Sequence, residues 1–302
     1  MNVVSFYRFL DLENPPLFRD ELQALCDEHG LLGTILVASE GFNGTIAGSA
    51  QAIRAVLSWL QERSGIEEEV DARWTRADAP PFRRMRVRIK KEIVTLGRPD
   101  ILPHEVTGKH VPPEQWNALI DDPNVLVIDT RNHYEYEVGT FPGAIDPGND
   151  SFREFPSFAE TLAEVSPDRP LAMFCTGGIR CEKASALMLE LGFSEVYQLQ
   201  GGILNYLESV PAKENRWDGE CFVFDTRVAV DRDLSEGGYV QCHACRRPLS
   251  AEDLTSPGYR EGVSCPRCVD ENDADRRARL EERRKQVQLA AERGELHIGA
   301  KI

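Results

Sequence analysis

The stretch MFCTGGIRCEKASALM, Met173–Met188, decides the fold of the middle of this chain. Its first residues complete the apolar run LAMFC, a strand pattern. Its last residues set Ala184, Leu187 and Met188, with Leu191 beyond, on one face of a helix that Gly192 is placed to end. A thiol, Cys175, therefore closes a strand, and Thr176, Gly177, Gly178, Ile179 and Arg180 carry the chain into the helix. Without Cβ atoms at 177 and 178, backbone N–H groups can converge into a nest for an anion. The helix dipole and the Arg180 guanidinium add positive potential. All three lower a thiol pKa, so the stretch predicts a Cys175 thiolate near neutral pH. The alternative, from this loop alone, is a buried structural cysteine beside an ordinary turn.

Outward from the loop, VLVID (125–129) and VYQL (196–199) are short, nearly continuous apolar runs with helical patterns between them. Such runs suit parallel strands covered on both faces, so residues 115–212 read as an α/β domain with its ligand site beyond the strands' carboxyl ends. Residues 100–114, rich in Pro, Gly and polar residues, read as a linker. Residues 1–99 alternate strand, helix, two strands, helix and strand, the order of a ferredoxin-like α+β sandwich. There VVSFYRFL is the first strand, and Pro15–Pro16 opens the first helix. LLGTILVASEGFNGTIAG forms two strands turning at Gly41, Asn43 and Gly44, and Ser49 caps a helix through Ile53, Val56, Leu57 and Leu60. RMRVRIKKEIVTLG is the closing strand, with Arg84, Arg86, Arg88 and Lys90 on its solvent face. Residues 213–302 hold a strand candidate, CFVFDTRVAV, then a cysteine-rich extension and a charged helix from about Asp270.

Composition narrows the function. The chain has 302 residues, 41 % hydrophobic, and no apolar run near the roughly 20 needed to span a bilayer. Its start lacks the basic segment and cleavage site of a secretory signal, so a cytoplasmic protein is expected. Eight cysteines in such a chain indicate metal binding or catalysis rather than disulfides. Cys242-x2-Cys245 and Cys265-x2-Cys268, with nineteen residues between the pairs, match zinc-ribbon spacing and predict a closed structural zinc site. Empty reduced thiols or two disulfides are the competing readings. Cys26 and Cys221 read as core. The formal charge is −15, yet residues 72–109 carry ten Lys/Arg against four Asp/Glu, 10 − 4 = +6, leaving −21 elsewhere.

VLVIDTRNHYEYEVGTFPGAIDP followed by FCTGGIRCEKA resembles the rhodanese domain, with Cys175 at the active-site position. Asp129, Arg131, Glu135, Tyr136, Gly139, Pro142, Gly143 and Ala144 carry the match, while Thr140 stands where the family usually has histidine. The loop from Cys175 to Arg180 has the six-residue length of persulfide-forming rhodaneses. The related phosphatases place arginine one residue later, where this chain has Cys181.

SEGFNGTIAGS, FCTGGIRCEKA, QGGILNYLE, CFVFDTRVAVD and CHACRRPLS together resemble, over nearly all of the first 270 residues, the bacterial rhodanese-related tRNA uridine hydroxylases. That resemblance implies conversion of the wobble uridine (position 34) of tRNA to 5-hydroxyuridine with molecular oxygen as cosubstrate. It also implies a reductant that the residues do not identify. No flavin or haem signature accompanies it. Cys175 would either add to C6 of the uracil, making C5 electron-rich, or react with oxygen first as a persulfide or sulfenate. The nest and Arg180 would stabilise the developing charge. Cys181 would resolve an oxidised Cys175 or pack beneath it. Asp129 and Arg131 would line the pocket, or Arg131 would brace the turn by pairing with Glu135; Lys183 would reach a phosphate or stay solvated. For an anticodon loop, Arg73, Arg83, Arg84, Arg86, Arg88 and Lys90 supply a basic track, and Trp74 and Phe82 supply stacking surfaces. A solvated edge strand is the alternative. Sulfur transfer through a Cys175 persulfide, and tRNA binding without catalysis, are the competing functions.

Overall fold

A computed structural model describes residues 1–65, 67, 70–165 and 168–294. The chain divides into two compact units, one comprising Met1–Cys221 and Asp231–Ser235, the other Phe222–Val230 and the residues from Glu236 onward.

The first unit begins with β1 (Asn2–Phe9), α1 (Pro15–Glu28), β2 (Leu32–Ala38), β3 (Gly41–Gly48), α2 (Ala50–Ser64), β4 (Ala72–Arg76) and β5 (Met85–Ile89). The Asn14 side chain accepts from Leu17 N at the head of α1, and that of Ser49 from Ala52 N at the head of α2, each satisfying an orphan helix donor. The sheet order is β4-β1-β3-β2-β5. Both helices cover one face, where Phe18, Leu22 and Cys26 of α1 and Ile53, Val56 and Leu60 of α2 meet Val4, Phe6, Ile35 and Val37.

Two expectations are corrected here. The hairpin turns at Ser39–Glu40, whereas Asn43 and Gly44 lie inside β3, since a Cβ on Gly44 would stand 2.8 Å from Ile35 Cγ1. The basic segment does not close the ferredoxin-like set. That fourth strand is β4, paired antiparallel to β1, and β5 is an addition at the far edge, parallel to β2. Propensity could not separate them, because alternation is the same on either edge.

The unit continues with β6 (Lys109–Val111), α3 (Pro113–Ile120), β7 (Leu126–Asp129), α4 (His133–Tyr136), β8 (Gly139–Thr140), α5 (Phe155–Val165), β9 (Leu171–Phe174), α6 (Ile179–Glu190), β10 (Val196–Leu199) and α7 (Gly202–Ser209). The parallel sheet runs β6-β10-β9-β7. The stretch 100–114, expected as a linker, thus contributes an edge strand. Three residues are too short a run to show periodicity. Residues 213–221 also join this unit, as β11 (Asp218–Gly219) pairs with β8 and Trp217 packs 5.1 Å from Phe141. The short strands β12 (Cys221–Phe222) and β13 (Ala229–Val230) follow.

The second unit contains β14 (Val240–Gln241), β15 (Pro248–Leu249), α8 (Ala251–Thr255) and α9 (Ala274–Glu292), the last being the charged helix, capped by Asp273. Among the described residues no helix is long and apolar enough to cross a membrane.

Candidate active site

Cys175 stands one residue beyond β9, fully buried, with its Sγ 3.1 Å from the backbone N of Gly178. Gly178 reaches that position with φ 98°, a left-handed conformation that disfavours side chains, and then opens α6. The N–H groups of Arg180 and Cys181 and the Cys181 thiol also donate to the sulfur. Burial pushes the thiol pKa up. These donors and the Arg180 charge outweigh it, so Cys175 is held below the ordinary thiol range, while burial and the adjoining Cys175 anion push Cys181 well above it. The pair thus has one anionic member and one neutral donor. Thr130 Oγ1, 3.5 Å from Cys181 Sγ, fixes the second thiol in place.

The loop is braced from three sides. Arg180, expected to face the developing charge, instead grips Glu135 through Nη1–Oε2 at 2.6 Å and Nη2–Oε1 at 2.8 Å, and donates to Thr176 Oγ1 at 3.3 Å. It lowers the Cys175 pKa from that braced position through space. Ile203 N and Leu204 N donate to the Cys175 and Thr176 carbonyls, which is why QGGI follows β10: a Cβ on Gly202 would lie 2.5 Å from Cys175 O. Ile179 packs, as Tyr7 does, against the cluster of Phe9, Ala38 and Ile93, while Gly177 has open space where a Cβ would stand.

Arg131 does not brace the turn through Glu135. It pairs with Asp129 at 2.6 Å and donates to Gly139 O, both side chains being fully buried under Trp217. Asp129 and Arg131 are therefore turned into the interior and closed off from solvent. Lys183 is neither solvated nor free for a phosphate. It is fully buried, with Nζ 2.7 Å from both Glu40 Oε2 and Glu92 Oε2. Helix α6 is buried nearly all round because its polar first turns meet polar partners from β1, the β2–β3 turn, the segment after β5, α4, β6 and β10.

Sequence reasoning missed Tyr7 and Glu182. The Tyr7 hydroxyl, carried by β1, donates to Glu182 Oε1 at 3.1 Å, and a Cβ on Gly178 would stand only 2.8 Å from it. Burial and the neighbouring Glu182 and Cys175 charges raise its pKa well above the phenolic range. Glu182 also binds Thr107 Oγ1, His110 Nε2 and Gln198 Nε2 at 2.8–3.0 Å. Burial opposes its ionisation, and these partners hold it below the usual carboxylate range. Nothing local in SFYRF marks Tyr7, since its partner is 175 positions away.

The basic candidates separate. Arg84, Arg86 and Arg88 share the sheet face opposite the helices, and Arg83, Arg84, Arg88 and Lys90 are exposed. Arg73 shares that face, on β4, and its guanidinium lies against Gly201. Trp74 alternates to the helix side, packs on the core and carries Arg54 5.1 Å over its ring, so it offers no platform on the basic face. Phe82, by contrast, sits on the basic face, packed on Val3, Ala47 and Ala77 at its edge.

In the second unit Cys242, Cys245, Cys265 and Cys268 bring four sulfurs within 4.8 Å of one another. The 245–265 and 265–268 sulfur pairs are 3.7 and 3.6 Å apart. A tetrahedral thiolate centre with metal–sulfur bonds of about 2.3 Å has edges of about 3.8 Å, so the cluster fits a metal ion.

Residues 1–93 match the model of the UPF0176 acylphosphatase like domain, and residues 112–209 that of the rhodanese-like domain. Three curated relatives align over nearly the whole chain. The tRNA uridine(34) hydroxylase of Teredinibacter turnerae is 50 % identical across 98 % of this chain and 92 % of its own. The protein of the same name from Rhizobium leguminosarum bv. trifolii is 50 % identical across 99 % and 96 %. That of Sinorhizobium fredii is 51 % identical across 99 % and 95 %. With half of its residues shared end to end, the chain belongs to the tRNA uridine(34) hydroxylase family.

Proposed function

We propose that the protein hydroxylates C5 of the wobble uridine, position 34, of tRNA to give 5-hydroxyuridine, with Cys175 as the nucleophile. The observation that carries this is the buried Cys175 sulfur, held anionic by three N–H groups, the Cys181 thiol and Arg180. Its Sγ adds to C6 of the uracil, and the C5=C6 electron pair moves onto C5 and O4. C5 then bonds to oxygen; loss of the C5 proton and departure of the Cys175 thiolate restore the ring. The net step consumes one O2, two electrons and two protons and releases one water. The electrons come from an external two-electron reductant. Gly177, the open side of the loop, is where the base enters.

Thr176, Gly178 and Ile179 hold the loop, Cys181 tunes the nucleophile, and Asp129 and Arg131 form a buried strut. The anticodon loop supplies an unpaired base, as a thiol addressing C6 requires. We infer further that the four-cysteine cluster holds structural zinc, its donors all thiolates and its positions all filled, leaving no open site for catalysis. A tRNA substrate supports a cytoplasmic reaction.

The test is nucleoside mass spectrometry of tRNA incubated aerobically with protein and reductant. 5-Hydroxyuridine is expected with the native chain and none with Cys175→Ala. tRNA carrying 5-fluorouridine at position 34 should trap an adduct on Cys175. Undiminished product from Cys175→Ala overturns the reading, and cyanide-dependent thiocyanate release without hydroxylation establishes sulfur transfer instead.

A further inference from the structure

The sheet of β1–β5 has both its helices on one face; its other face is covered by Ile93 and Ile179 over Phe9 and Ala38 at one end and by Phe82 over Val3 and Ala47 at the other, with a half-exposed middle between them. Pairing registers set a row straight across that second face: Arg73 on β4, Ser5 on β1, Thr45 on β3, Thr34 on β2 and Arg86 on β5. All five are half-exposed. Ser5 Oγ and Thr45 Oγ1 lie 2.9 Å apart, and Thr34 stands beside Thr45 in register, so the middle of the row is a polar floor. With strands about 4.8 Å apart, the row is about 19 Å long, with a guanidinium at each end. Along β1, Tyr7 lies about 7 Å from Ser5, and its hydroxyl stands over Gly178 of the cysteine loop. At the β4 end, Arg73 lies against Gly201, whose neighbour Gly202 underlies the Cys175 carbonyl. The floor is therefore bounded by the Cys175 loop on one side and by Phe82, seated on Val3 and Ala47, on the other.

We propose that this face binds the sugar–phosphate backbone of the anticodon loop, running across the strands from Arg86 to Arg73 and presenting its base to Cys175. The proposal rests on the hydroxylase reading for the identity of the RNA. Its chemistry stands on the face itself. Among the residues that β1–β5 and the adjoining Arg84 turn to this side are four guanidiniums, Arg73, Arg84, Arg86 and Arg88, and no carboxylate, in a chain of net charge −15. Asp71 and Glu208 approach Arg73 only at 4.0 Å. None of the exposed large apolar side chains lies in the row, so the face offers no anchor for a membrane or an apolar protein patch. Hydroxyls between guanidiniums suit phosphate oxygens and ribose 2′-hydroxyls, the groups that position RNA without reading its sequence.

The experiment is fluorescence anisotropy of a fluorescein-labelled anticodon stem-loop RNA, uridine at its wobble position, titrated with the full chain across a salt series. Thr45→Glu, which sets a carboxylate in mid-floor, should weaken binding more than tenfold. Arg86→Gln with Arg88→Gln should flatten the log–log salt slope by about 1.4, or about 0.7 for each single-strand phosphate that is no longer neutralised. Thr34→Val with Thr45→Val, close in shape, should weaken binding about fivefold or more at unchanged slope, because neutral donors release no counterions. Arg19→Gln, on α1 behind the sheet, should bind as the native chain does. The melting midpoint and the Cys175 thiolate absorbance certify the fold of each variant. If Thr45→Glu unfolds the chain, the two valine substitutions decide. Native-like affinity in the floor variants, with the native chain binding well, overturns this surface and leaves the hydroxylase reading standing. No binding by the native chain overturns both.

Discussion

Lys183→Met should cost the first unit roughly 3–5 kcal/mol. The ammonium is fully buried with two carboxylate oxygens at 2.7 Å, Glu40 from the β2–β3 turn and Glu92 from the segment after β5. At an effective dielectric constant of about 20, each pair contributes about 332/(20 × 2.7), or about 6 kcal/mol of Coulomb attraction, most of it offset by desolvation. Methionine fills the same volume yet leaves two buried carboxylates facing each other, and removing one member of a buried ion pair typically costs about 3–5 kcal/mol. For a unit of this size that is a fall of about 6–20 °C in melting midpoint, measured by scanning calorimetry of the full chain at pH 7. The deficit should depend on pH. Burial raises the Glu40 pKa despite the opposing pull of Lys183. A carboxyl whose folded pKa exceeds its unfolded value loses stability as pH rises through the unfolded value toward the folded one. Without Lys183 that penalty grows, so the variant should recover part of its deficit as pH falls toward the range in which Glu40 takes up a proton. Adding Glu40→Gln should recover part of it at pH 7. A loss under about 1 kcal/mol, well below the cost of an uncompensated buried charge, or a deficit independent of pH, would refute the reasoning.

The remaining predictions concern the loop and the metal cluster. Cys181→Ala removes a donor to the Cys175 anion, so the Cys175 titration, read by thiolate ultraviolet absorbance, should move up by about one unit, roughly 1.4 kcal/mol. Because the Cys175 pKa is depressed, its thiolate is lost as pH falls through that value, and the variant should lose it at higher pH; an unmoved midpoint refutes the donor role. Gly202→Ala places a Cβ 2.5 Å from Cys175 O at φ 67°, and should abolish uridine hydroxylation while costing about 1–3 kcal/mol in backbone strain alone. Full activity in that variant would show that the loop tolerates displacement. Cys245→Ser should lower metal content, measured by inductively coupled plasma mass spectrometry, and unfold the second unit without changing the Cys175 titration.

Patterns confined to a few neighbouring residues were legible in the sequence. The apolar run before Cys175, the glycines after it and the spacing of Ala184, Leu187 and Met188 locate strand, nest and helix, because each depends on residues within one or two turns. Ser49 as a cap and the two Cys-x2-Cys knuckles are of the same kind. The errors share a cause. Arg131 and Arg180 each had acidic neighbours in sequence, and only packing decided that Asp129 takes the first and Glu135 the second. Trp74 and Arg73 are adjacent and alternate faces, so identifying the true fourth strand settled which of them joins the basic surface.

Composition, spacing and period determined that a thiolate loop closes a parallel strand, that an α+β sandwich precedes it, and that four cysteines can gather around one ion. Tertiary structure alone decided what surrounds the loop. Tyr7, Glu40 and Glu92 come from a different sheet or its connections, and Lys183 and Glu182 look like surface charges on any helical projection. A local pattern reports which backbone form is cheapest, whereas a buried charge is stable only beside a counter-charge brought from elsewhere in the chain. That pairing is long-range, and so is the site it builds.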